Sequence, residues 1–266
     1  MLAAYMLAFD GMSDIGLKKE IQEDVIYHRT YGKDIELFII ADGVGTVNEE
    51  MSPGTIACAE VADYLKRVYE YDEEVFTENF EFFLQMAMYS ANRVLGTFHL
   101  IDDEAYKGFG TSMTACIVHK NMLYFAHSGN TRLHLIRVNK EGAPVINQLT
   151  VDHTEGFEKL ARREITEEMY LKGIEKLQLT SGLGVFPDPE IQTSFTRFSK
   201  NNIIVMTTDG VHYPLWQTVL LELVLAAENT SSACRALIDA AKIQKYPDNM
   251  SSMVVYNLPD ENKAEK

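Results

Sequence analysis

The stretch that decides the reading is Ile39-Ile40-Ala41-Asp42-Gly43, and it has a second form at Met206-Thr207-Thr208-Asp209-Gly210. In each, an apolar run of the kind that forms a buried strand delivers one aspartate followed by glycine. The glycine lets the chain turn and brings a carbonyl close to the carboxylate. Two further acidic pairs sit beside apolar runs. Glu23-Asp24 precedes Val25-Ile26, and Asp248-Asn249 precedes the closing run Met253–Leu258. Hard divalent cations are held by carboxylate and carbonyl oxygens, with water in the remaining positions, and strand ends are rigid supports for such ligands. A single Asp-Gly is an ordinary turn. The order and context of all four acidic sites carry the information.

Outward from these sites the chain mixes strand-like and helix-like patterns. Asp34–Ala41 reads as a buried strand, Pro53–Tyr69 as an amphipathic helix, and Val75–Leu95 as a second, longer one. The core face of the longer helix includes Phe76, Phe80, Phe83, Leu84, Ala87, Ala91 and Val94. Ser112–Val118 and Met122–Ser128 form a hairpin about Lys120-Asn121, and Arg132–Val138 follows as a strand. Ile203–Thr208 is another buried strand, Leu215–Glu228 and Ser232–Lys245 are helical, and Met253–Leu258 is the last strand. No repeat or low-complexity linker divides the chain, so residues 1–258 are expected to form one domain with strands and helices in groups, followed by a charged tail, 259–266.

Composition narrows the partners. The 266 residues are 46% hydrophobic, ample for a core, and carry a formal charge of −15. Such a surface repels nucleic-acid phosphates and anionic lipid heads. No stretch is long and apolar enough to span a bilayer, and apolar Met1–Phe9 has no basic flank or cleavage pattern and reads as a strand. A cytoplasmic monomer is expected. Three cysteines without CxxC spacing fit reduced, buried thiols. Ser112 and Ser128 lack a GxSxG elbow, Gly43–Gly45 does not complete GxGxxG, and no Walker A sequence occurs.

Eight segments in order resemble the metal-dependent protein phosphatases, the PPM or type-2C serine/threonine family. They are Ser13–Gly16 with Lys19 and Gln22-Glu23-Asp24, Ala41–Gly45, Gly110-Thr111-Ser112, Ser128–Arg132, Leu149–Thr154, Leu179–Gly184, Thr208-Asp209-Gly210 and Asp248-Asn249. The resemblance runs from about Leu2 to Leu258 and has a bacterial look, with Val44 where many eukaryotic members have histidine. It implies an α+β fold, a four-layer α-β-β-α sandwich with two central, mostly antiparallel sheets. It also implies two Mg²⁺ or Mn²⁺ ions. Asp42 would bridge both, the Gly43 carbonyl would contact one, Asp209 and Asp248 would bind the other, and Glu23 and Asp24 would hold bound waters. The implied reaction is hydrolysis of phosphoserine or phosphothreonine in phosphoproteins, some made by a partner kinase, with a water activated between the ions.

Several positions depart from the family pattern. Lys19 stands where the family has a phosphate-binding arginine, keeping the charge but losing the bidentate fork. Lys18 or Arg29 could assist it. Asn130 and Tyr213 stand where relatives have third-metal aspartates, which makes that site degenerate. Thr46 replaces a loop glycine. Residues 154–178 fall at the family's variable flap, whose charges could select substrates. His212, three residues after Asp209, could approach a leaving oxygen, while His153 reads as structural. Two other functions stay open at this stage. One is a pseudophosphatase serving as a binding module. The other is a two-metal phosphatase of small phosphoesters, since substrate choice lies outside the metal ligands.

Overall fold

The computed structural model describes residues 6–45, 51–172 and 178–258, with residues 171 and 172 in backbone only. The tail 259–266, Thr46 and the first five residues lie outside the described residues. In chain order the strands are β1 (Met6–Asp14), β2 (Asp24–Tyr31), β3 (Ile35–Val44), β4 (Gly110–His119), β5 (Met122–Ser128), β6 (Arg132–Val138), β7 (Pro144–Gln148), β8 (Gln192–Arg197), β9 (Ile203–Thr207) and β10 (Met250–Leu258). The helices are α1 (Pro53–Tyr71), α2 (Glu73–Glu78), α3 (Phe80–Ile101), α4 (Glu155–Ala161), α5 (Glu167–Lys172), α6 (Asp209–His212), α7 (Gln217–Ala226) and α8 (Thr230–Ile243).

Alternation along the strands builds the layers. Successive strand residues face opposite sides of a sheet. From β3, Phe38 and Ile40 meet Leu133, Leu135, Ile204, Met206, Met253 and Val255 in a core between two sheets. The intervening Leu37, Ile39 and Ala41 face the other way and pack with Ala57, Val61, Leu65, Leu84 and Ala91 from α1 and α3. On the far side, Val205 and Val254 pack with Cys234, Leu237, Ile238 and Ala241 of α8. One sheet runs β1-β10-β9-β6-β7 and the other β2-β3-β4-β5-β8, every neighbouring pair antiparallel. The result is the four-layer α-β-β-α sandwich. Cys58, Cys116 and Cys234 are buried free thiols.

Some sequence expectations need correction. Val75–Leu95 is not one helix. Asn79 adopts a non-helical conformation between α2 and α3, and its side-chain amide donates to the Val75 carbonyl at 2.9 Å. Asparagine competes for backbone groups in this way and so interrupts helices. Asp72, in the acidic run before Phe76, caps α2 by accepting from Val75 N–H. Asp209-Gly210 does not form a turn leaving the strand but opens the short helix α6. The strands β7 and β8 have no counterpart in the sequence reading. Both are edge strands with polar, half-exposed faces, so their hydrophobic alternation is faint.

The 154–178 excursion carries α4 and α5. Thr154 caps α4 by accepting from Phe157 N–H at 3.2 Å. Beside it, Arg132 donates from Nε to Asp152 Oδ1 at 2.9 Å and from Nη2 to Oδ2 at 2.6 Å. The Tyr170 hydroxyl of α5 donates to Asp152 Oδ2 at 2.7 Å, and Gln148 Nε2 donates to Oδ1 at 2.9 Å. Burial opposes ionisation of Asp152, but Arg132 and these hydrogen bonds outweigh it and hold its carboxyl below the usual carboxylate range.

Two stability predictions follow from this packing. Phe38→Ala, at a fully buried site between the sheets, should lower unfolding free energy by about 3–5 kcal/mol in urea titrations. The stabilisation due to Asp152 should be complete above its unfolded value near 3.9 and be lost as pH falls through the lower folded value. Asp152→Asn should remove that acid-limb dependence and cost roughly 3 kcal/mol at neutral pH, measured by unfolding titrations between pH 3 and 7.

Candidate metal centre

The acids converge where the two sheets end together. Asp24 opens β2 and lies opposite Asp42 near the end of β3. Asp209 follows β9, and Asp248 precedes β10. The loop between β1 and β2 crosses from one sheet to the other and is fixed by Asn249. The Asn249 side-chain amide donates to the carbonyls of Ile15 (2.8 Å) and Ile21 (3.1 Å), and its Oδ1 accepts from Glu23 N–H at 2.9 Å. Asn249 N–H in turn donates to Asp248 Oδ1 at 2.9 Å. Glycine is required at two close approaches. A Cβ on Gly16 would stand 2.1 Å from the Asp248 carbonyl oxygen, and one on Gly210 would stand 1.8 Å from that of Asn249. Gly43 N–H donates to the Glu23 carbonyl at 3.2 Å, joining the end of β3 to the same loop.

Hydroxyls orient the acids. Thr208 donates to Asp24 Oδ2 at 2.8 Å and accepts from Ser251 N–H at 3.0 Å. Thr111 Oγ1 donates to the Asp42 carbonyl at 2.9 Å. Ser112 Oγ accepts from the N–H groups of Asn130 and Thr131, both at 2.8 Å, and so shapes the 129–131 loop. Thr208, Ser251, Thr111 and Ser112 escaped the sequence reading as functional supports. Their signal is only that each lies in or beside a motif already marked.

The electrostatics are those of like charges held together. Burial raises the Asp24 carboxyl above its ordinary value. The Thr208 and Ser251 hydrogen bonds oppose this, and repulsion from Asp248 adds to it. Burial raises Asp209, reinforced by Asp248 and Asp24, and raises Asp42, reinforced by Asp209, Asp24 and Asp248. Lys19 lies among them, its Nζ 2.9 Å from Asp248 Oδ1 and 3.0 Å from Glu23 Oε2. Burial disfavours its ammonium, but Asp248 and then Glu23 outweigh that and raise it.

Asp209 Oδ1 is buried without a hydrogen-bond partner. An orphaned carboxylate oxygen within a group of repelling carboxylates is a place where a hard cation is favoured, and the all-oxygen donor set suits Mg²⁺ or Mn²⁺. Among the described residues, no three His, Cys, Asp or Glu side chains already close on one point as a ready ligand set. The acids fit such ions in the chemistry of their donor set, and Lys19 pairs with two of them.

The remaining expected residues fall as follows. The Asn130 amide lies 3.3 Å from both Asp209 Oδ2 and the Tyr213 hydroxyl, so the two departures are in mutual contact beside Asp209. His212 is 2% exposed with Nδ1 3.0 Å from Thr207 Oγ1, a buried structural position. His153 accepts from Gly129 N–H through Nδ1 at 3.2 Å, also a structural role. Burial lowers His127 to about 3, keeping it neutral. Arg29 lies five residues along β2 from Asp24, about 16 Å at the strand rise, and pairs with Asp63 of α1 at 3.0 Å. It does not reach the acids. Lys18 is exposed.

No family model matches the chain. It is 26% identical over 207 residues to protein phosphatase PhpP of Streptococcus pneumoniae serotype 2, covering 75% of this chain and 77% of that protein. It is 25% identical over 247 residues to a putative protein phosphatase 2C-type of Streptococcus pyogenes serotype M6, covering 92% and 95%. Among solved structures, the serine/threonine phosphatase PstP/Ppp of Mycobacterium tuberculosis superposes with a TM-score of 0.78 at 22% identity, covering 96% of this chain and 99% of that one. The PstP catalytic domain in complex with two manganese ions superposes at 0.76 with 23% identity, covering 96% and 100%. These solved structures establish the fold. The chain is thus similar in sequence to streptococcal protein phosphatases, one of them of the 2C type, and has the fold of the solved bacterial serine/threonine phosphatases.

Proposed function

We propose that this protein is a metal-dependent phosphatase of phosphoserine and phosphothreonine in phosphoproteins. The observation that carries the reading is the set of buried, mutually repelling carboxylates at the shared end of both sheets, with Asp209 Oδ1 lacking a partner. Asp42, Asp209 and Asp248, with the Gly43 carbonyl, would hold two Mg²⁺ or Mn²⁺ ions, and Glu23 and Asp24 would hold waters around them. When bound, such ions supply an activated water and neutralise charge on the phosphoryl oxygens. The protein's part is to orient. Thr208 and Ser251 set the Asp24 carboxylate, Asn249 keeps Glu23 beside Asp248, and the Thr111 hydroxyl braces the Asp42 backbone. Lys19, at the rim with Glu23 and Asp248, would turn to the substrate phosphate as a point charge. Residues 1–258 would form the one catalytic domain, with 154–178 as a flap beside it. The protein would act as a cytoplasmic monomer on products of a serine/threonine kinase.

A second reading has its own observation. The neutral Asn130 amide sits on Asp209 Oδ2 and Tyr213 fills the adjoining position. Both favour a catalytically weak or silent binding module.

Phosphate release from p-nitrophenyl phosphate and phosphothreonine peptides should require Mn²⁺ or Mg²⁺ and stop with chelator. Normal folding without metal-dependent turnover would select the binding module. Asp42→Asn or Asp209→Asn should each lower kcat by about 10²-fold or more, the scale of losing one electrostatic contact to the transition state. Undiminished activity in either variant would sink the mechanism. Mn²⁺ at 100 times its Kd should stabilise the fold by about 2.7 kcal/mol in thermal melts. Lys19→Ala should raise KM, with Lys19→Arg restoring it, while Asn130→Asp should alter the Mn²⁺ concentration needed for activity.

A further inference from the structure

A continuous set of contacts joins the 154–178 excursion to the acids. The Tyr170 hydroxyl donates to Asp152 Oδ2 at 2.7 Å and accepts from Arg132 Nη2 at 3.3 Å. Arg132 lies across the Tyr213 ring, its guanidinium carbon 5.4 Å from the ring centroid. Tyr213 Oη accepts from the Asn130 amide, and that same amide donates to Asp209 Oδ2. The Tyr213 N–H also donates to the Asp209 carbonyl at 2.9 Å, closing α6. Tyr170 is 4% exposed, Asp152 1% and Asn130 5%, so solvent does not screen these contacts.

Packing beneath the excursion is incomplete. A cavity of about 180 Å³ is lined by Arg132, His134, Gln148, Phe157, Tyr170 and Trp216 among others, from α4, α5, β6, β7 and the start of α7. Phe157 touches the Tyr170 ring with centroids 6.3 Å apart. Where apolar packing is loose, a directed hydrogen bond to a buried ion pair decides where the element rests.

We propose that Tyr170 is a positioning residue whose hydroxyl pins the excursion to Arg132–Asp152 and, through Tyr213 and Asn130, sets the orientation of Asp209. Docking of the excursion and readiness of Asp209 for a divalent cation are then one coupled event. The inference rests on the reading of Asp209 as a metal ligand.

The test is calorimetric titration of Mn²⁺ into the unsubstituted chain, Tyr170→Phe, Phe157→Leu and Arg162→Ala, with hydrogen exchange on each. Tyr170→Phe keeps the ring and removes only the hydroxyl. It should weaken Mn²⁺ binding about 3- to 10-fold, the scale of energetic coupling through such a network. It should also speed exchange across α5 and at the amides of residues 209–213, with the metal-free thermal midpoint little changed. Arg162→Ala, at an exposed pair with Glu158, should bind as the unsubstituted chain does. Unaltered affinity and exchange at residues 209–213 in Tyr170→Phe would overturn the proposal. So would an equal loss in Phe157→Leu, which loosens packing and leaves the hydroxyl in place. Absence of Mn²⁺ binding by the unsubstituted chain would remove the metal-centre reading and this inference with it.

Discussion

The structure depends on one side chain at the junction of the two sheets. Asn249 spends its amide hydrogens on two carbonyls of the β1–β2 loop and its oxygen on the N–H of Glu23. That loop is one of the places where the chain passes from one sheet to the other. Without a fixed crossing, the acid at the head of β2 and the acid before β10 would have no set distance, because they belong to different sheets. A carboxamide suits the task because it offers donors and an acceptor together and carries no charge. An aspartate there would add to the repulsion and lose both donations.

The same region shows how a fold can hold an unfavourable arrangement. Buried carboxylates raise one another's proton affinity, and hydroxyl donors, the Asn130 amide and Lys19 only partly offset this. The apolar layers on both sides of the sheets supply the stability that this end lacks. The chain's negative charge therefore has two meanings. Most of it is solvated surface, such as Glu74 and Glu78 around α2, while a few acids at strand ends are held inside against their preference.

Legibility followed the strength of the hydrophobic pattern. β3 and β9 were readable because buried central strands are nearly continuous in apolar residues, and their terminal aspartates pointed to the acid cluster. The four-layer arrangement came from motif resemblance, since alternation gives two faces to a strand but not what covers each. Edge strands β7 and β8 were invisible because one polar side is enough for an edge. The break at Asn79 turned on one side chain accepting a local alternative. The acids Glu23, Asp24, Asp42, Asp209 and Asp248 were named from sequence and do gather at one end. Their orienting hydroxyls could not be named, because Thr208 and Ser251 meet only through strand pairing of residues 43 positions apart.

Gly16 and Gly210 bring a last consequence. Each lies against the backbone at 248–249, one from the loop side and one from α6, with no room for even a methyl group. The turn bearing Asp248 is therefore gripped between two bare stretches of main chain, as a key is held between wards. An alanine at either glycine would act as a wedge, displacing a carboxylate while every acid and base in the sequence stayed the same. Variation that silences such a centre need not touch its chemistry at all, and a survey of its charged residues alone would score the damaged chain as intact.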